Sequence, residues 1–210
     1  MANSDTRATP ERYHHGDLRA ALLREARALL HEQGIEGLSL RRLAERAGVS
    51  RTAPYHHFRD KHALLCSLAA EGFQRLGDLV EEARLDPDND IEAGLRAFVR
   101  AYLRFASEEP EQYDLMFGRT LWKGEAVTEE LRDVAFHSFR RYAERVGNLL
   151  SRAELPPGTH PLRLAQASWA TLHGLCRLLI DGIYVDRQDM EEVSEEAVRV
   201  MVTMLDSRRP

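Results

Sequence analysis

Apolar residues recur along almost the whole chain with the spacing of helices. They return every three or four positions, which places them on one side of a helix. The sequence contains no strand-like alternation of useful length, no internal repeat and no low-complexity segment. The predicted helices run over about 17–33, 40–47, 60–84, 91–109, 131–149, 161–184 and 189–206, with a dense apolar cluster between 113 and 122. The pattern predicts an all-α protein.

Residues 38–61 carry the most informative local pattern. Four apolar residues share one side of a short helix, namely Leu40, Leu43, Ala44 and Ala47. Gly48 follows the end of this helix, where a backbone with positive φ is favourable only for glycine. Ser50 is expected to cap a second short helix, Phe58 to pack against the helix over 17–33, and Asp60 to cap the long helix that follows. Two short helices joined by a glycine-containing turn are typical of the helix-turn-helix, whose second helix enters the DNA major groove.

The charge distribution agrees with binding of nucleic acid by the N-terminal part of the chain. The chain has a net charge of −5. Residues 1–65, however, carry 11 Lys and Arg against 8 Asp and Glu, whereas the remainder carries 18 against 26. A mildly basic first part on an acidic body is expected of a protein that binds DNA with one end only.

Composition also argues against several other classes. No apolar stretch approaches the ~18 residues of a membrane span, and the N-terminus lacks a signal-peptide core, so we expect a cytoplasmic protein without a membrane partner. Cys66 and Cys176 lie in apolar helical patterns and are expected to be buried free thiols. The adjacent pairs His14-His15 and His56-His57 are poorly placed to chelate, because neighbours on a helix point about 100° apart. We therefore expect no metal, no cofactor and no catalytic site.

The motifs resemble those of the TetR/AcrR family of bacterial transcriptional regulators. Gly48-Val49-Ser50, then Tyr55-His56-His57-Phe58 and Lys61, carry most of this resemblance. The second half resembles the C-terminal domain of the Trp-His-Gly type through Trp169, His173 and Gly174, and through the segments 115–118 and 181–182.

One position departs from the commonest family pattern. Pro54 stands where leucine or isoleucine is usual, and its missing N–H forfeits a helical hydrogen bond. The tilt of the second short helix therefore does not follow from the family pattern alone.

The resemblance implies a domain organisation and a mechanism. Residues 1–13 would be a flexible arm, 14–60 a three-helix helix-turn-helix domain, and 61–210 a helical ligand-binding and dimerisation domain. The protein would be a homodimer, paired through its last two helices, that represses transcription at a palindromic operator in double-stranded DNA. A small-molecule effector would release it.

By the same resemblance, nine residues are expected at the DNA: Arg41, Ser50, Arg51, Thr52, Ala53, Tyr55, His56, His57 and Lys61. Arg51 is the candidate for base recognition, because its fork can pair with guanine O6 and N7. Arg41, Tyr55, His57 and Lys61 are candidates for phosphate contacts. The alternative to phosphate contact for Arg41 and Lys61 is an ordinary solvated charge on the surface. The alternative for His57 is a packed side chain that hydrogen-bonds the helix backbone.

Eleven residues of the body are candidates for lining an effector cavity: Phe73, Phe98, Tyr102, Phe105, Met116, Phe117, Trp122, Phe139, Trp169, Leu172 and His173. The alternative for most of them is an ordinary core. Because no cluster of Arg or Lys interrupts the apolar stripes, we expect a largely hydrophobic effector. Two other functions stay open, an architectural DNA-binding protein without a ligand and, with little support, a helical enzyme.

Overall fold

The computed structural model describes residues 15–83, 90–123, 126–150, 160–183 and 189–205. The described residues form helices and connecting turns and contain no strand, which confirms the all-α prediction. The α-helices are α1 (His15–Gly37), α2 (Leu40–Arg46), α3 (Lys61–Glu82), α4 (Ile91–Glu108), α5 (Pro110–Phe117), α6 (Arg119–Trp122), α7 (Glu129–Leu150), α8 (Pro161–Ile180) and α9 (Met190–Leu205). A single turn of 3-10 helix, Ala53–His56, lies between α2 and α3. The predicted arm, residues 1–13, lies outside the described residues.

The chain divides into two compact units, residues 1–64 and 65–210. In the first unit α1 loses helical geometry at Gly34, which has φ 66° and ψ −174°. The predicted end of the helix at Gly34 is therefore confirmed, although a further turn continues to Gly37. The sequence analysis missed the cap of α2, in which the Ser39 hydroxyl accepts a hydrogen bond from the Arg42 amide at 3.2 Å.

Gly48 ends α2 in the predicted left-handed conformation, with φ 66°. Its amide donates to the Glu45 carbonyl at 3.3 Å, and the Val49 amide donates to the Ala44 carbonyl at 3.1 Å. This pair of bonds is the Schellman arrangement, which satisfies the last carbonyls of a helix.

Two arginines of α2 bind α1. Arg46 donates to both carboxylate oxygens of Glu32 at 2.5 and 2.6 Å and to Glu25 at 2.8 Å. Arg42 bonds the Gln33 side chain at 2.6 Å and the Gly37 carbonyl at 3.1 Å. The hydrogen bond from Arg46 holds the pKa of Glu32 below its ordinary value. These bonds fix the angle between α1 and α2, and with it the direction in which the following turn is presented.

In the second unit α8 packs against α4 and α7, and α9 packs against α4. Arg96 and Arg100 of α4 both bind Glu195 of α9, at 2.8 and 2.9 Å. α5 is joined to α3 by Gln112, whose buried side chain donates to the Leu68 carbonyl at 2.9 Å. The interior is filled by aromatic and aliphatic side chains, with Tyr102 and Tyr113 fully buried. Cys66 and Cys176 are buried thiols outside any disulfide, as predicted.

The apolar cluster predicted around Gly118 forms two short helices, α5 and α6. The Gly118 amide donates to the Asp114 carbonyl at 2.7 Å, and a Cβ on Gly118 would lie 2.2 Å from that carbonyl oxygen. The glycine is therefore required by close backbone approach, and it separates the two helices.

Candidate DNA-contact surface and helical core

The segment after α2 differs from the prediction in its helix type. An α-helix capped by the Ser50 side chain was expected, but residues 53–56 form a 3-10 turn. The Ser50 hydroxyl lies 3.2 Å from the Thr52 hydroxyl and caps no amide in this turn, so the predicted capping role is wrong. Pro54 supplies the reason: it has no N–H to bond the Ser50 carbonyl, and the next amide, that of Tyr55, bonds Thr52 at the tighter i−3 spacing of 3.1 Å.

The recognition segment, residues 50–58, has one buried and one exposed side. Pro54 and Phe58 are buried, and the Arg19 guanidinium lies 5.8 Å from the centre of the Phe58 ring. This confirms the expected packing of Phe58 against the first helix. Arg51, Thr52, Tyr55 and His56 are exposed. With Ser50, which is also exposed, five of the nine predicted DNA residues are accessible in this segment.

The remaining predicted DNA residues lie around this surface with different exposures. Arg41, on α2, is exposed and bonds Glu45 one turn along at 3.2 Å. Ser50 is exposed, whereas Ala53, His57 and Lys61 are half-buried. His57 has its ring centre 6.4 Å from that of Phe58.

Asp60 fixes the start of α3 directly after the recognition segment. Its carboxylate accepts from the Ala63 amide at 2.8 Å and from Arg59 at 2.7 Å, which confirms the predicted cap. These two bonds hold the pKa of Asp60 below its ordinary value. The exposed Arg59 charge is thereby neutralised locally.

Most of the predicted effector-site residues form one aromatic cluster in the second unit. Tyr102 meets Phe98, Tyr113 and Trp169 edge to face, with ring centres 5.8 to 6.4 Å apart. The ring contacts extend from this centre to Phe73, Phe105, Phe117, Phe139 and His173. Met116 and Leu172 are buried, whereas Trp122 is 42% exposed and donates to the Met116 carbonyl at 2.6 Å.

Two tyrosines that connect this cluster were not among the predicted site residues. Tyr113 contacts Tyr102, Phe105, Phe117 and His173, and Tyr142 contacts Phe98 and Trp169. Both lie in the apolar stripes of the sequence, and that position is the only feature of the sequence that could have indicated a place in the cluster. Each also contacts a helix distant in the chain, Tyr113 through His173 and Tyr142 through Trp169, so periodicity alone did not distinguish them from core residues.

A short chain of polar groups crosses the aromatic cluster. The Tyr113 hydroxyl lies 2.7 Å from His173 Nδ1 and 3.4 Å from the Tyr102 hydroxyl. Burial raises the pKa of both tyrosines well above its usual range, raises the pKa of the Cys176 thiol to about 12 and lowers the pKa of His173. The tyrosines and the thiol are thus held neutral, and they offer hydrogen bonds within an otherwise apolar interior.

The outer faces of α8 and α9 form an apolar groove of about 320 Å³. Leu175 from α8 and Val193, Ala197, Val200 and Met201 from α9 supply most of its lining. Val200 is 44% exposed. These are the two helices expected to pair with a second copy of the chain.

Neither a metal-binding cluster nor a membrane-spanning helix is found among the described residues. Within the described ranges, no three His, Cys, Asp or Glu side chains lie close enough together to hold a metal ion. No helix among them is both long and apolar enough to cross a bilayer.

Comparison with known proteins identifies the family. Residues 22–68 match the model for bacterial regulatory proteins of the tetR family, and residues 95–205 match that for the tetracyclin repressor-like C-terminal domain. Since the second match alone spans more than half of the chain, the protein belongs to the TetR family of regulators.

The relatives differ in how much of the chain they share. The transcriptional repressor AcnR of Corynebacterium glutamicum is 39% identical over 98 residues, 47% of this chain and 45% of its own length. The chain thus matches less than half the length of this relative. A protein of unknown function from Rhodococcus sp. RHA1 is 33% identical, with a TM-score of 0.78 over 93% of this chain and 99% of its own. A TetR-family transcriptional regulator from Pectobacterium atrosepticum is 25% identical, with a TM-score of 0.66 over 93% of this chain and 97% of its own.

Proposed function

We propose that this chain is a sequence-specific DNA-binding repressor that acts as a homodimer on a palindromic operator and is released by a small, largely apolar effector. The observation that carries the proposal is the recognition segment. Its buried side, Pro54 and Phe58, anchors it, and its exposed side presents Arg51, Thr52, Tyr55 and His56. An exposed set of cationic, hydroxyl and aromatic groups on a rigid turn is suited to a DNA groove.

The residues in and around the recognition segment have different roles in this proposal. Arg51 pairs with a guanine edge in the major groove, where a bidentate contact discriminates by about 1–3 kcal/mol. Thr52 and Ala53 contact a thymine methyl group. Tyr55, His57, Lys61 and Arg41 contact phosphates, which position the protein without reading the sequence.

The test is a binding titration with duplex DNA from the region beside the protein's own gene. Arg51→Ala should lose discrimination at one base pair of each half-site, whereas Lys61→Ala should weaken binding to all sequences and reduce the salt dependence by about one ion per half-site. Arg140→Ala is the matched control, because Arg140 is an exposed arginine of α7 with its own partner, Glu144, at 2.9 Å. Equal weakening on every sequence by Arg51→Ala would contradict base recognition. Equal affinity for a palindrome and its scrambled version would favour the architectural alternative.

The proposed dimer is supported by the exposed apolar groove on α8 and α9. Pairing with a second copy would form a four-helix bundle and remove the groove from water. Val200→Asp should convert the dimer to a monomer in analytical ultracentrifugation, because it places a carboxylate in the apolar interface. Phe136→Asp, at an apolar position of α7 that is 61% exposed, should leave the dimer intact. A wild-type chain that sediments as a monomer would refute the pairing.

The proposed release by an effector operates through α3. This helix is continuous from Lys61, beside the recognition segment in sequence, to Phe73 and beyond. An effector changes operator affinity only through its different affinities for two conformations of the chain. A tenfold release requires about 1.4 kcal/mol of coupling between the two sites.

A further inference from the structure

A cleft of about 370 Å³ lies between α3 and α7 in the second unit. Its volume falls within the range of about 300–1,000 Å³ that is usual for small-molecule sites. Only Phe73 of the lining belongs to the residues predicted from the sequence as effector contacts. The chemistry of this cleft is therefore new relative to the aromatic cluster.

The Ser138 hydroxyl in this lining has no hydrogen-bond partner among the described residues, although Ser138 is only 2% exposed. Serines and threonines in helices usually bond a carbonyl about one turn back. Ser168, Thr171 and Thr203 do so here, at 2.8 to 3.0 Å. Because buried hydroxyls are rarely left without a partner, the Ser138 hydroxyl is a natural contact for a bound molecule.

Gly77 of α3 lies opposite this hydroxyl and lines the same cleft. A Cβ at Gly77 would lie 3.8 Å from Ser138 Oγ and 3.3 Å from a terminal nitrogen of Arg141. Glycine is unfavourable inside a helix compared with alanine. A side chain at this position would press on Arg141 and contact Ser138, so the glycine allows α3 and α7 to approach closely beside the cleft.

The charged groups of the cleft favour a cation over an anion. Asp78 and Asp133 both line it, against the single guanidinium of Arg141, which lies 4.0 Å from Asp78. His137 also lines the cleft, and with this imidazole neutral the lining carries one net negative charge. Phe73 adds an aromatic ring, whose face attracts both apolar groups and ammonium ions.

We propose that this cleft binds a small aromatic amine that also carries a hydroxyl group. Its ring packs on Phe73, its ammonium group faces Asp78 and Asp133, and its hydroxyl group hydrogen-bonds Ser138. The proposal rests on the proposed function in that it names the effector site and the chemical class of the effector.

The test uses tyramine as the probe and isothermal titration of the full chain without DNA. Three matched compounds separate the contributions: 2-phenylethylamine lacks the hydroxyl, 4-(2-hydroxyethyl)phenol lacks the charge, and 3-(4-hydroxyphenyl)propionate reverses it. Tyramine should bind at least about tenfold more tightly than the propionate, because the latter faces two carboxylates.

Two variants locate the site. Ser138→Ala should weaken tyramine about three- to tenfold, the value of one hydrogen bond, and leave 2-phenylethylamine unchanged. Gly77→Ala should weaken both amines, because its methyl group occupies the cleft. The controls are Ser194→Ala, at a buried serine whose hydroxyl bonds the Glu191 carbonyl at 2.8 Å, and Gly147→Ala, at a helical glycine with open space around it. Neither control should alter amine binding.

Several results would overturn the proposal. The first is that tyramine shows no saturable binding below about 10 mM. The second is that the propionate binds as tightly as tyramine. The third is that Ser138→Ala and Gly77→Ala leave tyramine binding unchanged. A chain that binds tyramine in the cleft but stays on its operator would keep this site and refute release by that ligand. A chain that another compound releases, but that does not bind tyramine, would refute the cleft alone.

Discussion

Replacing Gly48 by alanine isolates the contribution of one backbone conformation to the DNA-contact unit. Gly48 has φ 66°, and an added Cβ would meet no other atom within 4 Å. The substitution therefore introduces no clash and removes no side-chain contact. Its whole effect comes from holding a residue with a Cβ in the left-handed region, together with the smaller conformational freedom of alanine in the unfolded chain.

The two contributions have opposite signs. The left-handed conformation costs about 1–2 kcal/mol for a residue with a Cβ, whereas a Gly-to-Ala change recovers about 0.4–1 kcal/mol through the unfolded state. The net destabilisation is about 1 kcal/mol, which corresponds to about a fivefold larger population of the open state. Operator affinity should fall as well, because Gly48 sets the direction from α2 into the recognition segment.

Amide hydrogen exchange measures this effect where it arises. The Val49 amide, bonded to the Ala44 carbonyl at 3.1 Å, should exchange about fivefold faster in Gly48→Ala. Gly34→Ala should likewise speed up amide exchange around residue 34, because Gly34 also has φ 66° and open space. Gly147→Ala should instead slow exchange in α7, where alanine is the better helix former. The reasoning from φ would be refuted if the Val49 amide exchanged at an unchanged rate in Gly48→Ala, or if Gly147→Ala also made exchange faster.

Three further predictions concern titrating and buried groups. The hydrogen bond from Arg46 lowers the pKa of Glu32 in the folded chain, so the pair should stabilise the packing of α1 on α2 at any pH above the ordinary carboxyl pKa. This stabilisation should be lost as the pH falls through the lowered pKa of folded Glu32. In an NMR titration, Arg46→Met should move the titration midpoint of Glu32 back towards the ordinary value. Tyr113→Phe should destabilise the second unit by about 1–3 kcal/mol in urea unfolding, since it leaves His173 Nδ1 without that partner. Cys176, whose pKa burial raises to about 12, should resist iodoacetamide at pH 8 in the folded chain and react after unfolding; rapid labelling of the native protein would contradict its burial.

The recognition segment shows how far local patterns reach. The periodicity of α2, the left-handed Gly48 and the buried Phe58 were all predicted, because each depends on residues within a few positions in the chain. The α-helix predicted after Ser50 is wrong, although Pro54 departs from the commonest family pattern. The missing N–H of Pro54 follows from the sequence, but its result, a shift to i−3 bonding by Tyr55, depends on how the whole turn closes.

The order of residues is enough to establish which sides of the helices are apolar, where glycine ends α2, and that basic charge gathers in the first part of the chain. These properties follow from the 3.6-residue period and from the conformational range of single residues. The contact of Tyr113 with His173, and the position of Gly77 opposite Ser138, depend instead on how the helices pack. Periodicity shows that a helix face must be covered but not which distant helix covers it, and the spacing of the packed helices then decides whether a cleft remains between them.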